Sequence, residues 1–244
     1  MAKPQDLPLE LLQFYLTAPY PCSYLDNQEA RSQVLAPNSP INSHIYSELV
    51  RHGFRRSGSF TYRPHCDQCQ ACVPVRVNVE EFIWRRINRR IYKKNQDLSI
   101  HHQRLVFKEE HFQLYQAYQQ ARHTREDSDT DNKEQYVNFL IHSPVNSELI
   151  EFRLNNQIVM VSVIDYLDDG ISSVYTFFDP IKHERSLGQF NILWQLNLCR
   201  TLTLPWLYLG YWIKECRKMN YKIQFQPLEG LIDHEWQPLA LAQE

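Results

Sequence analysis

The sequence predicts a mixed α/β (α+β) protein, one β-sheet flanked by helices, with a smaller cysteine-containing N-terminal region. Three observations lead there. Stretches of period-two alternation such as "VPVRVNV" occur beside stretches with helical spacing. Three strand patterns, "ELIEFRL", "IVMVSVIDYL" and "ISSVYTFFD", follow one another through the turn signals "NNQ" and "DDG". His65, Cys66, Cys69 and Cys72 crowd into eight positions of the first third. With 244 residues, 43% hydrophobic and 22% charged, the chain is globular and long enough for one or two closely packed domains.

In chain order, a short helix is expected near Leu9–Leu16, then irregular chain to about Ser43. "HIYSELVRHG" reads as a helix closed by Gly53. "FRRSGSFTYRP" reads as a strand pair or bent strand, and "VPVRVNV" as a half-buried strand. "EFIWRRINRRIYKKNQ" is a helix, followed by a strand from Asp97 to Phe107 and a helix over Glu110–Arg122. The acidic loop "REDSDTDN" leads to a second helix around Lys133–His142 and then to the three strands. A helix covers Leu187–Leu202, "WLYLG" is a short strand, "YWIKECRKM" is helical and "YKIQFQP" is the last strand. This order matches the acyl-CoA N-acetyltransferase (GNAT) architecture, a mixed sheet with a V-shaped opening between its middle strands. The expected division is a basic, cysteine-containing domain at 1–95 and a GNAT-like domain at 96–244.

Composition excludes several classes. Only six glycines occur, and no pair of them forms a Walker or dinucleotide loop. The start "MAKPQDLPLE" has no apolar stretch behind a basic region, and no segment approaches the roughly 18 apolar residues of a membrane span. The expectation is a cytoplasmic protein with reduced cysteines and no membrane partner.

The net charge of -2 conceals an asymmetry. Between Arg51 and Arg104 there are 12 Lys/Arg against 4 Asp/Glu, so this one stretch of the chain is strongly basic. Arg85, Arg86, Arg89, Arg90, Lys93 and Lys94 cover half the circumference of one helix, opposite Trp84, Ile87 and Ile91. A solvated surface helix usually mixes signs for i,i+4 pairing. Six cations without an acid point to phosphate, hence to nucleic acid.

The Cys-x-x-Cys-x-x-Cys spacing of Cys66, Cys69 and Cys72 lets thiolates turn toward one point, as at structural zinc or iron–sulfur sites. His65 or Cys22 would complete the set; the alternative is reduced thiols packed under a turn. No His/Glu set marks an activated water, so no cofactor is required for chemistry. Cys199 and Cys216 read as core.

"KHERSLGQF" places Ser186 and Gln189 as a capping box, with Arg185 and Gly188 at a helix N-terminus able to meet an anion. Phe190 stands where a pyrophosphate loop needs a small residue, which speaks against CoA. An ordinary capped helix is the alternative. Tyr175, Phe177, Phe178 and Asp179 end one strand at the expected opening; Tyr208, Tyr211 and Trp212 end its neighbour. No Ser/His/Asp set is visible.

These stretches together resemble the aminoacyl-tRNA–protein transferase family, most closely its bacterial leucine-transferring branch. The resemblance rests on "PCSYLDNQEAR", "GFRRSGSFTYRPHCDQCQACVPVRV", "NRRIYKKNQDL", "SVYTFFDP…RSLGQFNILWQ" and "LPWLYLGYWIKECRKMNYKIQFQPLE". It implies an enzyme with a GNAT-like domain that moves leucine from Leu-tRNA to the α-amine of proteins beginning with Asp or Glu, marking them for degradation. Under this reading the RNA lies on the Arg85–Lys94 helix, with its 3′ end near Arg185 and Gly188. Asp179 or His123 receives the amine's proton, Tyr175 orients the ester, and Arg56, Arg63 and Arg76 are candidates to clamp the acceptor's carboxylate. The alternatives are transfer of arginine from Arg-tRNA, a CoA-dependent acetyltransferase, and a metal-binding nucleic-acid module without catalysis.

Overall fold

The computed structural model describes residues 11–37, 39, 41–122 and 132–239. Residues 14–16, expected as helix, form strand β1 (Phe14–Leu16), followed by β2 (Tyr20–Pro21), β3 (Glu29–Ala30) and β4 (Ser32–Leu35). β1 finds backbone partners on β4, which outcompetes a single isolated helical turn whose nucleation is costly.

Helix α1 (Ser43–Arg51) starts where the Asn42 side chain accepts a hydrogen bond from the Ile45 amide at 2.8 Å. It stops just before Gly53, whose φ of +83° turns the chain into the hairpin of β5 (Arg55–Ser57) and β6 (Phe60–Pro64). These strands complete a small sheet of order β1-β4-β6-β5.

The next strand, β7 (Val73–Asn78), leaves this small sheet for the large one. Helix α2 is confined to Arg86–Lys94, because the Asn88 side chain accepts from the Arg85 amide and starts the helix there. Its cationic side is exposed as expected and Ile91 is buried, but Ile87 is 54% exposed and belongs to no core. After β8 (Ser99–Gln103) come α3 (Glu109–Arg122) and α4 (Lys133–Tyr136), which continues as a π-turn over Val137–Ile141. The meander β9 (Ser147–Leu154), β10 (Gln157–Tyr166) and β11 (Gly170–Phe178) follows, then α5 (Leu187–Thr201) and β12 (Trp206–Trp212).

The C-terminal expectation needs correction. Tyr211 and Trp212 pair with Pro74 and Val73 on β7, so β12 takes the first two residues assigned to a helix. The remainder, 213–219, forms turns; a 3-10 helix covers Asn220–Gln224, and the last strands are β13 (Leu228–Ile232) and β14 (Glu235–Pro238).

The large sheet has the order β14-β13-β7-β12-β11-β10-β9-β8. β7 lies between β12 and β13, so residues before 95 are part of this sheet and the expected boundary at 95/96 does not separate it from them. Side-chain alternation divides the core. Ile150 and Phe152 pack toward α5 with Phe190 and Leu193, whereas Leu149, Val161 and Phe177 pack with α3 around Tyr115 and Tyr136. No helix among the described residues is long and apolar enough to cross a membrane.

Candidate active-site cleft

β11 and β12 run parallel but pair only over Gly170–Ser172 with Trp206–Tyr208. Just beyond this short ladder each strand carries an extra residue: Val174 opposite the Val163/Ile164 step, and Leu209 between Tyr208 and Gly210. Bulges bend a strand and sharpen its twist, so the two strands diverge and the sheet opens into a V. Ser173–Thr176, Phe178, Leu209 and the first turn of α5 line the resulting cleft, about 770 Å³ in volume.

The floor of the V is occupied by a side chain from the small sheet. Arg55 on β5 reaches between the strands, and its Nη2 donates to the carbonyls of Ser173 at 3.0 Å and Val174 at 2.8 Å. Gly210, at φ +72°, provides the space: a Cβ there would lie 2.4 Å from Arg55 Nη1. Next to it Lys222, 6% exposed, donates to the Tyr211 carbonyl. Burial, and secondly the Arg55 charge, push the Lys222 amine well below the ordinary lysine range.

One wall is aromatic. Phe139 meets Tyr175 with ring centroids 4.9 Å apart, and Tyr118 meets Phe178 at 5.0 Å. Arg122 lies over the Tyr118 ring, 5.0 Å from its centroid. Exposed Arg122, Arg217, Lys218 and His183 stand at the mouth. Asn191 on α5 donates to Thr176 Oγ1 at 2.8 Å, while its own Oδ1 is buried without a partner.

The sequence-predicted residues divide sharply here. Tyr175 and Gly188 line the cleft, with the Tyr175 hydroxyl donating to Gln119 Oε1 at 3.4 Å. Asp179 does not line it: Asp179 Oδ1 accepts from the Ile181 amide at 3.0 Å and caps the 3-10 turn Pro180–Arg185. His123 lies outside the described residues. Arg185 forms two 2.8 Å bonds to Asp97, which neutralise it beside α2 instead of leaving it for an anion. The Ser186–Gln189 capping box is absent. Ser186 is left-handed at φ 53° with no side-chain cap, and Gln189 Nε2 donates to Gln224 at 3.4 Å. Phe190 is 2% exposed in the core against Phe152 and Tyr92, so it does not obstruct the cleft. Tyr211 is turned away as well, donating to the Gly53 carbonyl at 2.9 Å, and Tyr208 bonds Asp169 at 3.0 Å.

Of the three arginines expected to clamp the acceptor, Arg56 and Arg76 are held by carboxylates, and Arg63, bonded to neutral acceptors, lies outside this cleft. Arg56 has no exposed side-chain surface and is held by Asp165. Arg63 donates to Gln33 at 2.8 Å and lies over Phe54. Arg76 bonds Glu229 at 2.8 Å between Trp206 and Trp236. The cleft's other cations, beside the fully covered Arg56, are Arg55, Arg122, Arg217, Lys218 and Lys222, and no sequence pattern marks them. They lie on three separate segments with no common spacing.

The six cations of α2 are exposed. The C-terminal end of this helix meets the loop leading to the cleft mouth: Lys94 Nζ donates to the Glu184 carbonyl, and Asn95 Nδ2 to that of Arg185 at 2.9 Å. A second cavity, about 640 Å³, shares Ser23, Tyr24 and Tyr62 with the cleft and is lined by Cys22, Cys66, Cys69, Cys72 and His65. Burial, then the neighbouring Cys66, Cys22 and Cys69, push the Cys72 thiol up to about 12, so it is protonated near neutral pH. Among the described residues no three His, Cys, Asp or Glu side chains are arranged to hold a metal ion.

A mixed sheet opened between two parallel strands, with the first turn of a helix at the opening, has the GNAT-like arrangement of an acyl-transfer cleft. Comparison with known proteins makes this specific. The description "Arginine-tRNA-protein transferase, N terminus" matches residues 20–96, and its C-terminus counterpart matches 110–232. An aspartate/glutamate leucyltransferase of Polynucleobacter necessarius subsp. necessarius (strain STIR1) is 53% identical over 98% of this chain and 97% of its own. One from Thiobacillus denitrificans is 54% identical over 97% and 98%. The chain belongs to the arginine-tRNA-protein transferase family. Among solved structures, L-PGS from Bacillus licheniformis aligns at 13% identity and a TM-score of 0.43 over 65% of this chain and 47% of its own.

Proposed function

We propose that this protein transfers leucine from Leu-tRNA to the α-amine of proteins beginning with Asp or Glu. The observation that carries this reading is identity above 50% over nearly the full length of relatives named for that activity. In the reaction the amine attacks the ester carbonyl and a C–N bond forms. The bond to the 3′ ribose oxygen breaks, and the amine's proton ends on the released hydroxyl. An α-amine with a reference pKa of about 8 is partly neutral near pH 7, and the ester is already activated, so positioning and charge stabilisation supply the acceleration.

The geometry supports this. The exposed cations of α2 lead toward the cleft mouth, where Arg122, Arg217, Lys218 and His183 continue a track for phosphates. The aromatic wall of Tyr118, Phe139, Tyr175 and Phe178 offers a stacking surface to an unpaired 3′ end. With charged tRNA as donor, the reaction belongs in the cytoplasm, and its products enter degradation.

The experiment is transfer from a mixture of charged tRNAs to an Asp-starting peptide, the added residue read by mass. Leucine is expected. Arginine would select the second reading, motivated by the description of the matching family. An unchanged mass in the presence of every charged tRNA overturns both.

A further inference from the structure

We propose that Arg55 and Lys222 form the receptor for the acidic side chain of the acceptor's first residue, at the floor of the cleft. The inference rests on the functional reading above and names the residues that give it selectivity.

Arg51, Arg56, Arg76, Arg153 and Arg185 each hold a carboxylate within 3.0 Å. Arg55 holds none among the described residues; its only hydrogen bonds there run from Nη2 to two backbone carbonyls. Lys222 also lacks a carboxylate there, spending a donor on Tyr211 O with Met219 Sδ at 3.9 Å. A guanidinium and a primary amine, neither with a carboxylate among the described residues, thus converge on Gly210 and Tyr211, consecutive residues of β12. Burying charge without an opposite charge is unfavourable, and an anion arriving with the ligand relieves it.

Position separates the carboxylate from the RNA as the source of that anion. Arg55 is half-buried between the diverging strands and Lys222 is buried beside β12, while Arg122, Arg217 and Lys218 are exposed at the mouth, where a bulky phosphate backbone meets them first. The same cleft offers the complementary group. Asn191 Oδ1, in a residue 2% exposed, is an acceptor without a donor among the described residues and suits the N–H of the peptide's α-amine. A guanidinium and a primary amine hold a carboxylate by charge-assisted hydrogen bonds that an amide cannot replace.

The test compares kcat/KM for peptides beginning with Asp, Glu, Asn and Gln, with Leu-tRNA as donor, in wild type, Arg55→Gln and Lys222→Met. Wild type is expected to favour Asp over Asn by about 100-fold or more. Each variant should raise KM for Asp and Glu peptides at least about tenfold, leave the low Asn turnover unchanged, and so collapse the ratio. A variant that folds, by circular dichroism, and keeps the wild-type ratio overturns the proposal. Equal losses on all four peptides, or a raised KM for Leu-tRNA alone, also overturn it. Where the Gln or Met variant does not fold, Arg55→Lys and Lys222→Arg decide: each moves the charge along the stem and must change the Asp-to-Glu ratio at least about fivefold. If wild type transfers no leucine at all, the functional reading has failed. Calorimetric binding of Asp- against Asn-starting peptide then still tests the receptor, and equal affinities reject it.

Discussion

Arg56 and Asp165 form a bidentate ion pair, 2.7 Å on each arm, with no exposed surface on either side chain. The Tyr46 hydroxyl at 3.0 Å and Ser147 Oγ also donate to the same carboxylate, which satisfies it. Arg56 therefore fastens the small sheet to the large one, while Arg55, one residue earlier, faces the other way into the cleft.

Arg56→Ala leaves Asp165 buried and unpaired, at a cost of roughly 3–5 kcal/mol. The urea midpoint should fall accordingly, with the Asp-over-Asn preference of the remaining folded enzyme unchanged. The double variant Arg56→Met/Asp165→Leu removes both charges and should recover most of the lost stability. An unfolding free energy within about 0.5 kcal/mol of wild type for Arg56→Ala alone would show the pair to be dispensable.

Acid should unfold the protein through Glu151. Burial alone would raise its pKa, but hydrogen bonds from Lys108, Arg153 and His111 outweigh that and hold it at about 2, against 4.5 in model compounds. Because the folded value is the lower one, the group's contribution is complete above pH 4.5 and is lost as pH falls toward 2. The difference corresponds to roughly 3 kcal/mol. Stability measured by urea between pH 6 and pH 2 should decline in wild type and flatten over this window in Glu151→Gln.

The cations of α2 should act uniformly on RNA and not on the peptide. Replacing Arg86, Arg89, Arg90 and Lys93 by Ala should weaken Leu-tRNA binding and reduce the salt slope of log K by about 0.7–0.9 per phosphate contact removed. Asp-over-Asn preference should be unchanged. An unaltered salt slope would place the RNA elsewhere.

Gly210→Ala puts a methyl group against the Arg55 guanidinium at a left-handed backbone position. About 1 kcal/mol of stability should be lost from the backbone alone. KM for Asp-starting peptides should rise because Arg55 must move. Normal KM in a folded Gly210→Ala variant would show that Arg55 is not held where it matters.

Cys69→Ser should leave leucine transfer within about twofold if the thiol cavity braces the N-terminal region and takes no part in the chemistry. Elemental analysis of wild type and variant settles whether a metal is bound. Lost activity with fold and metal content intact would give the thiols a part in the reaction.

Much of the fold was legible because its signals are local. The alternation of β7, the turns between β9, β10 and β11, and the helical spacing of α5 depend on near neighbours. The C-terminal stretch was misread because "YWIKECRKM" has helical composition, whereas pairing with β7, more than 130 residues earlier, holds Tyr211 and Trp212 extended. Among site residues, Tyr175 and Gly188 line the cleft, one at a strand end and the other at a helix start. Asp179 and Arg185 lie off the cleft, and a sequence does not show that one caps a turn and the other pairs with Asp97.

Local pattern thus suffices for the β9–β10–β11 meander, for the basic helix and for the Cys66–Cys72 cluster, since each depends on neighbours within a few positions. Long-range packing alone selects which of the two adjacent arginines at the cleft is left without a carboxylate. Consecutive residues of a strand point to opposite faces. Asp165, 109 positions away in the chain, claims Arg56 on one face, and the diverging strands receive Arg55 on the other.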